Sequence, residues 1–491
     1  MERHDRIPAP ANCYAYANLR AGAQAHAPPC RRMTRYVVFV AMLLSIVVIR
    51  RRGLKAAFLD VWVPFFLVMP FAFWVNIPGL PDPNFMQAAI LPILFVLLRD
   101  RWGQMNFGRM EFLLALYVIV RVVADYLGRG YSDAQNYAFY MLSSLIGPYL
   151  LGRYLIDGRT MDVATSRRFV LMFLILFPMF VFELKFWVSP VFKLLSPLFP
   201  DAGSGLSLRY GLARTAGSFE HPILACIMII AVYRLHRWLC WIGEWKRPQP
   251  GLMGRIQGWS MRLPLDLQRQ ITIVLVVMAL MTISRGPWIG GFAGAAMAAV
   301  GLFKDRRKWL VIVLVALTVG GIGAQLALDA YVTPKVGQVL SEEAQTMLYR
   351  KVMIERYKEF LLDKLWTGWG LTRVPKIQGM ESIDNAFFLM ALQHGIGAVT
   401  VFALIFLYAI ISQLKFALKA PAGEPPIGFT FAGIYVMCFV AFSTVYMGSQ
   451  TEPMLFLLLG WGESIKRRSA EPLQGDMPPT RAAPAFRRVM T

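Results

Sequence analysis

Cysteine is scarce in this chain of 491 residues: there are five, Cys13, Cys30, Cys226, Cys240 and Cys438. None stands in a CxxC spacing, and three lie in or beside apolar runs, so neither a disulfide framework nor a metal site finds support. Histidine is equally sparse, with five residues scattered along the chain. Runs that alternate apolar and polar residues are lacking, which argues against a membrane β-barrel. No internal repeat is evident, which argues against the repeat-built transporters. Residues 1–32 have no long apolar core followed by a cleavage site, so they are not an ordinary signal peptide.

What is present is apolar. Hydrophobic residues make up 57% of the chain and its mean hydropathy is +0.50, against about 45–50% apolar residues in soluble domains. Apolar runs fall at 36–49, 56–75, 84–98, 109–127, 136–156, 168–187, 217–237, 268–283, 286–303, 309–328, 384–413, 426–446 and 449–465. They predict an all-α polytopic membrane protein of about 12–13 transmembrane helices. The predicted parts are a tail over 1–35, a first bundle over 36–328, a periplasmic loop over 329–383, C-terminal helices over 384–466 and a cytoplasmic tail over 467–491.

The net charge of +22 would suggest nucleic acid in a soluble protein. Here the cations cluster in short loops, as they do in cytoplasmic membrane loops, and no nucleic-acid partner is expected. Arg50-Arg51-Arg52, Arg99 and Arg101, Arg167-Arg168, the 238–267 loop, Lys304 to Lys308 and Lys466-Arg467-Arg468 all fall on one face when the segments are alternated. That face is read as cytoplasmic. The opposite face then carries 329–383, where eight Lys/Arg are balanced by seven Asp/Glu. Within it, Leu348, Val352, Tyr357, Phe360, Leu361 and Leu365 recur at helical spacing, which predicts an amphipathic helix over 342–366 ended by Gly368-Trp369-Gly370.

Four stretches on that outer face carry groups suited to chemistry. They are Arg214-Thr215-Ala216-Gly217-Ser218-Phe219-Glu220-His221-Pro222, then Ser284-Arg285-Gly286, then Tyr349-Arg350, and last Gly368-Trp369-Gly370 with Ser382-Ile383-Asp384-Asn385. Arginine inside a bilayer costs about 2.5–3.5 kcal/mol at mid-helix, so Arg285 between two apolar runs calls for a reason. A guanidinium fork matches phosphate oxygens and stays protonated. A carboxylate or histidine can take a hydroxyl proton. Plainer roles exist for each: snorkelling for Arg285, loop cations for Arg214 and Arg350, a helix start for Glu220-His221-Pro222, an N-cap for Asp384. Gly290 and Gly294 read as helix-packing glycines, Arg121 with Asp125 as a structural pair, and His394-Gly395 as a packing position.

Taken together, the order and sidedness of these motifs resemble the O-antigen ligase and Wzy-type polysaccharide polymerase superfamily of bacterial inner membranes, best over 200–470. The resemblance implies a GT-C-like glycosyltransferase that needs no metal or other cofactor and works on the periplasmic face. Its donor would be an undecaprenyl-pyrophosphate-linked oligosaccharide and its acceptor a sugar hydroxyl. Membrane lipids, a chain-length regulator and export proteins would be its partners. Arg214, Arg285 and Arg350 would bind the pyrophosphate, and Asp384, Glu220 and His221 are the catalytic candidates. The ligase pattern has His-Asn where this chain has Asp384-Asn385, which shifts the expectation toward a polymerase of exopolysaccharide or O-antigen repeat units. A ligase, and a transporter of lipid-linked sugar, are the alternatives.

Overall fold

The computed structural model describes residues 35–77, 80–200, 202, 207–332, 342–380, 382–421 and 426–470. Of the expected tails over 1–35 and 467–491, residues 1–34 and 471–491 lie outside these residues, while 467–470 continue the last helix. The described chain is mostly helical. In order it forms α1 (Phe39–Arg52), α2 (Leu54–Ala57, continued through a π turn at Phe58–Trp62 into Val63–Val68), α3 (Phe85–Arg101) and α4 (Arg109–Arg129). Next come α5 (Tyr131–Met141, with a π turn at Leu142–Ile146 leading into Gly147–Leu155), α6 (Arg159–Phe186) and the short α7 (Pro190–Leu195). A two-stranded hairpin, β1 (Leu208–Arg209) and β2 (Leu212–Ala213), precedes α8 (Pro222–Trp241), α9 (Gly251–Ser260), α10 (Leu267–Met281) and α11 (Arg285–Ala299). The remainder is α12 (Arg306–Val332), α13 (Glu342–Asp363), α14 (Ala386–Lys419), α15 (Ile427–Phe442) and α16 (Thr451–Ala470).

Each apolar run of the sequence contains a helix, because an unbroken apolar segment satisfies its backbone polar groups only by closing them on itself. Among the described residues, four helices are long and apolar enough to cross a membrane: Arg159–Phe186, Pro222–Trp241, Arg306–Ala327 and Ala386–Lys419. The third has none of its most apolar window buried in the protein. An apolar helix left uncovered on that scale calls for lipid around it.

Small residues set the closest helix contacts. A side chain at Gly290 would meet the Met437 carbonyl at 2.8 Å, and one at Gly294 would meet the Gly433 carbonyl, so α11 lies directly on α15. Gly152 and Gly460 do the same for α5 and α16. This is the packing role expected of Gly290 and Gly294.

Side-chain contacts sort the loops into two ends. At one end the cations are tied down by acids. Arg52 (2.8 Å) and Arg168 share Asp60, Lys55 pairs with Asp157 at 2.7 Å, Arg153 with Glu111 at 2.8 Å, and Arg468 with Asp162 at 3.0 Å. At the other end, the Asp125 carboxylate accepts the Leu371 N–H (2.9 Å), Ser218 donates to the Leu67 carbonyl (2.6 Å) and the Ala386 N–H donates to Val445 (3.0 Å). The candidate residues all sit at this second end. Arg121, expected to pair with Asp125, makes its ion pair with Glu452 at 2.6 Å, 331 residues away.

Candidate functional site

The loop before α8 is locked from several sides, and this fixes Arg214. The Glu183 carboxylate accepts the N–H groups of Ala216 (3.1 Å) and Gly217 (2.6 Å), and Ser189 donates to the Gly217 carbonyl at 2.7 Å. Gly217 has φ +64, and the Phe180 ring fills the space where a side chain would go. The Arg214 guanidinium donates to the Thr282 carbonyl (3.2 Å), the Ser207 hydroxyl (3.3 Å) and the Ser284 hydroxyl (2.9 Å). A buried cation held this way costs little further entropy when it meets an anion.

The hairpin brings two groups that the sequence did not mark as site residues. Tyr210 (φ +53) and Gly211 (φ +73) form its tight turn, a pair of positive φ values that suits the twist of adjoining strands. Arg209 donates to the Ile283 carbonyl at 3.2 Å. Arg285 donates to the Tyr210 hydroxyl, with its guanidinium 5.7 Å from that ring's centroid. Arg285 is exposed, while its neighbour Ser284 is buried against Arg214. The break between α10 and α11 thus puts one arginine at the rim and anchors another.

The large loop adds the remaining groups. Helix α13 forms where the amphipathic pattern predicted it, with Met353 and Tyr357 buried. It ends at Asp363, and Gly368 (φ +67) and Gly370 (φ +82) turn the chain back. The returning loop docks into a break in α14. Gly395 has φ +78, so the Leu392 and Gln393 carbonyls accept instead from Trp369 and Gly370, each at 2.8 Å. The Ile396 N–H donates to the Leu365 carbonyl at 2.8 Å. His394-Gly395 is therefore the socket for the loop. Further on, the Tyr349 hydroxyl donates to the Ser382 carbonyl (2.8 Å) and accepts its N–H (3.0 Å). The Ser382 hydroxyl donates to Asp384 Oδ1 at 2.9 Å. Asn385, not Asp384, caps α14, accepting the Phe388 N–H at 3.0 Å. That leaves the Asp384 carboxylate to face the cations.

Electrostatics show which groups share one space. Arg214 is lowered to about 10 by burial and by Arg209, with Cys226 and Asp384 opposing. Arg350 is lowered by burial, is pulled back up by Asp384, and feels Arg209. His221 falls to about 3, through burial first and then Arg214 and Arg209. Arg209, Arg214, Arg350, Asp384 and His221 therefore form a single cluster with three cations and one carboxylate. His221 is neutral at ordinary pH. Its Nδ1 accepts the Ile223 N–H at 3.2 Å, which leaves the ring proton on Nε2.

Glu220 is oriented differently. Burial raises its pKa, and Ser449 opposes by donating from both main chain and hydroxyl, while Oε1 is buried with no hydrogen-bond partner. Its carboxyl thus faces the 443–450 loop rather than the arginines. Tyr446, from the same loop, meets the His221 ring edge-on at 6.2 Å. Among the described residues, no group of three or more His, Cys, Asp or Glu is arranged to hold a metal ion. Neither a protein-family model nor a curated protein matches the chain.

Proposed function

We propose that this protein is a polytopic inner-membrane glycosyltransferase that joins lipid-linked oligosaccharide units at its periplasmic end, opposite the loops whose cations outnumber their acids. One observation carries the reading. Arg209, Arg214 and Arg350 act electrostatically on one another, on Asp384 or on a neutral His221, with Arg214 buried and anchored on Thr282, Ser207 and Ser284. The cluster has one carboxylate against three guanidiniums, an excess of two positive charges. A diphosphate that bridges a lipid and a sugar keeps one negative charge on each phosphorus, so its charge is matched. The arginines would hold it and neutralise the charge that develops as it leaves.

In the proposed step Asp384 takes the proton of the acceptor hydroxyl. The freed oxygen bonds to the anomeric carbon as the bond from that carbon to the diphosphate oxygen breaks, and the lipid diphosphate departs with the electron pair. His221 acts as a hydrogen-bond donor through Nε2, since its other nitrogen is occupied. Arg285 at the rim would meet the diphosphate on arrival. Helices α10 and α11, at 15 residues each, reach only about 22 Å at 1.5 Å per residue, short of a ~30 Å hydrocarbon core. The junction between them would therefore lie within reach of a lipid-borne substrate. Asp384 in place of the ligase-type histidine supports polymerase over ligase.

Deleting the gene and restoring it as wild type, Arg350→Ala or Asp384→Asn tests this. Surface glycan limited to single units in both variants, with protein levels unchanged, is the expected outcome. Full-length polymer held on the lipid carrier would indicate a ligase instead. Normal polymer length in both variants would remove the cleft from the chemistry.

A further inference from the structure

The wall that carries Tyr446 and Ser449 has a second side. It lines a cavity of about 250 Å³ between α3, α4, α5, α14 and α16, at the same end of the bundle as the arginine cleft. The two sites share this loop, since Tyr446 meets His221 and Ser449 holds Glu220. Their chemistry is opposite. The cavity has Asp82, Asp125 and Glu452 against Arg121 alone, an excess of two acids, so a phosphate would be repelled where the arginine cleft attracts it.

The rest of the lining combines two kinds of surface. Phe71, Trp74 and Phe139 offer aromatic faces, and Asn136 and Gln393 offer side-chain amides. An amide both donates and accepts, as does a sugar hydroxyl, and an aromatic face covers the apolar C–H side of a sugar ring. A purely apolar ligand would strand these polar groups without partners. The polar groups are held in place beforehand: Asp82 accepts from Asn76 (3.1 Å) and the Ile77 N–H (3.2 Å), Gln393 donates to the Leu371 carbonyl (3.2 Å), and Glu452 accepts from Arg121 and Tyr140, each at 2.6 Å. Arg121 Nε is buried and has no hydrogen-bond partner. The volume falls just under the roughly 300–1,000 Å³ of drug-sized clefts, which suits one sugar ring.

We infer that this cavity is a subsite for an uncharged sugar ring of the glycan, placed beside the diphosphate cleft. The inference rests on the reading of the protein as a glycosyltransferase, but its test does not need turnover. Purified protein in nanodiscs is mixed with millimolar D-glucose, D-galactose, D-mannose, L-rhamnose or N-acetyl-D-glucosamine, and saturation transfer to each sugar is measured by NMR. At least one sugar should show transfer in the wild type. That signal should weaken roughly tenfold in Trp74→Ala or in Asn136→Ala and persist in Arg350→Ala. Thermal melting confirms that each variant is folded. No transfer from any of the five sugars to folded wild type, or a signal unaltered in both cavity variants, would overturn the subsite. Sugar binding that persists while Arg350→Ala still polymerises would instead leave the subsite standing and remove the diphosphate cleft.

Discussion

His221 shows how one side chain can be set by its surroundings. It caps α8 through Nδ1 and lies beside two guanidiniums, so the folded protein disfavours its protonation. With the folded pKa near 3 and an unfolded value of about 6.5, the unfolded chain binds the proton first as pH falls. Stability from this residue is therefore present above pH ~6.5 and is lost as pH drops from there toward 3. Thermal melting of wild type and His221→Gln across this range should show the wild type losing more stability on acidification. Parallel curves would show that the ring titrates normally. In the sequence this residue reads as part of a Glu-His-Pro helix start and, through the resemblance, as a catalytic candidate, but its protonation state is not legible there. The Arg214 and Arg209 charges that set its state come from the preceding loop, and no local spacing reveals them.

Among the elements, α14 is the one whose sequence pattern misleads. Its apolar run is continuous on both sides of Gly395, so it reads as one helix with a packing glycine. In the structure Gly395 interrupts the ladder, and the backbone of 365–370 takes up the released groups. A broken helix in an apolar environment needs such replacement partners. Gly395→Ala would force a side chain into positive φ, at about 1–2 kcal/mol, and push it against the Trp366 backbone. The variant should melt at lower temperature, and trypsin should cut faster between Lys364 and Lys376 if the loop leaves its socket. Wild-type cleavage rates in a folded variant would mean that the loop is held elsewhere. The hairpin at 208–213 was not legible either, because two residues per strand leave no period to read. Helix α13 was, because apolar residues recur at helical spacing from Leu348 to Leu361 among charged ones.

At the scale of the molecule, apolar runs and loop charge were the readable signals. Every run holds a helix, and the cation-rich loops gather at one end through Asp60, Glu111, Asp157 and Asp162. The partner of Arg121 was not readable, since Glu452 arrives from a distant helix. The same long-range folding brings Arg209, Arg214, Arg350 and Asp384 from three segments within electrostatic reach of one another. The charge and position of this cluster, with the motif order, support the proposed transfer of a lipid-linked glycan.

The most direct measurement uses purified protein in nanodiscs and lipid-linked oligosaccharide extracted from the gene-deleted host. Glycan length and released lipid diphosphate are followed for wild type and Arg214→Lys. Lysine keeps the charge but cannot reproduce a fork that reaches Thr282, Ser207 and Ser284 together. The account predicts longer glycans and released lipid diphosphate from the wild type, and a rate lower by about 10²–10³ in the variant. Glycan that stays at its starting length with folded wild-type protein, or equal rates for the two proteins, would contradict it.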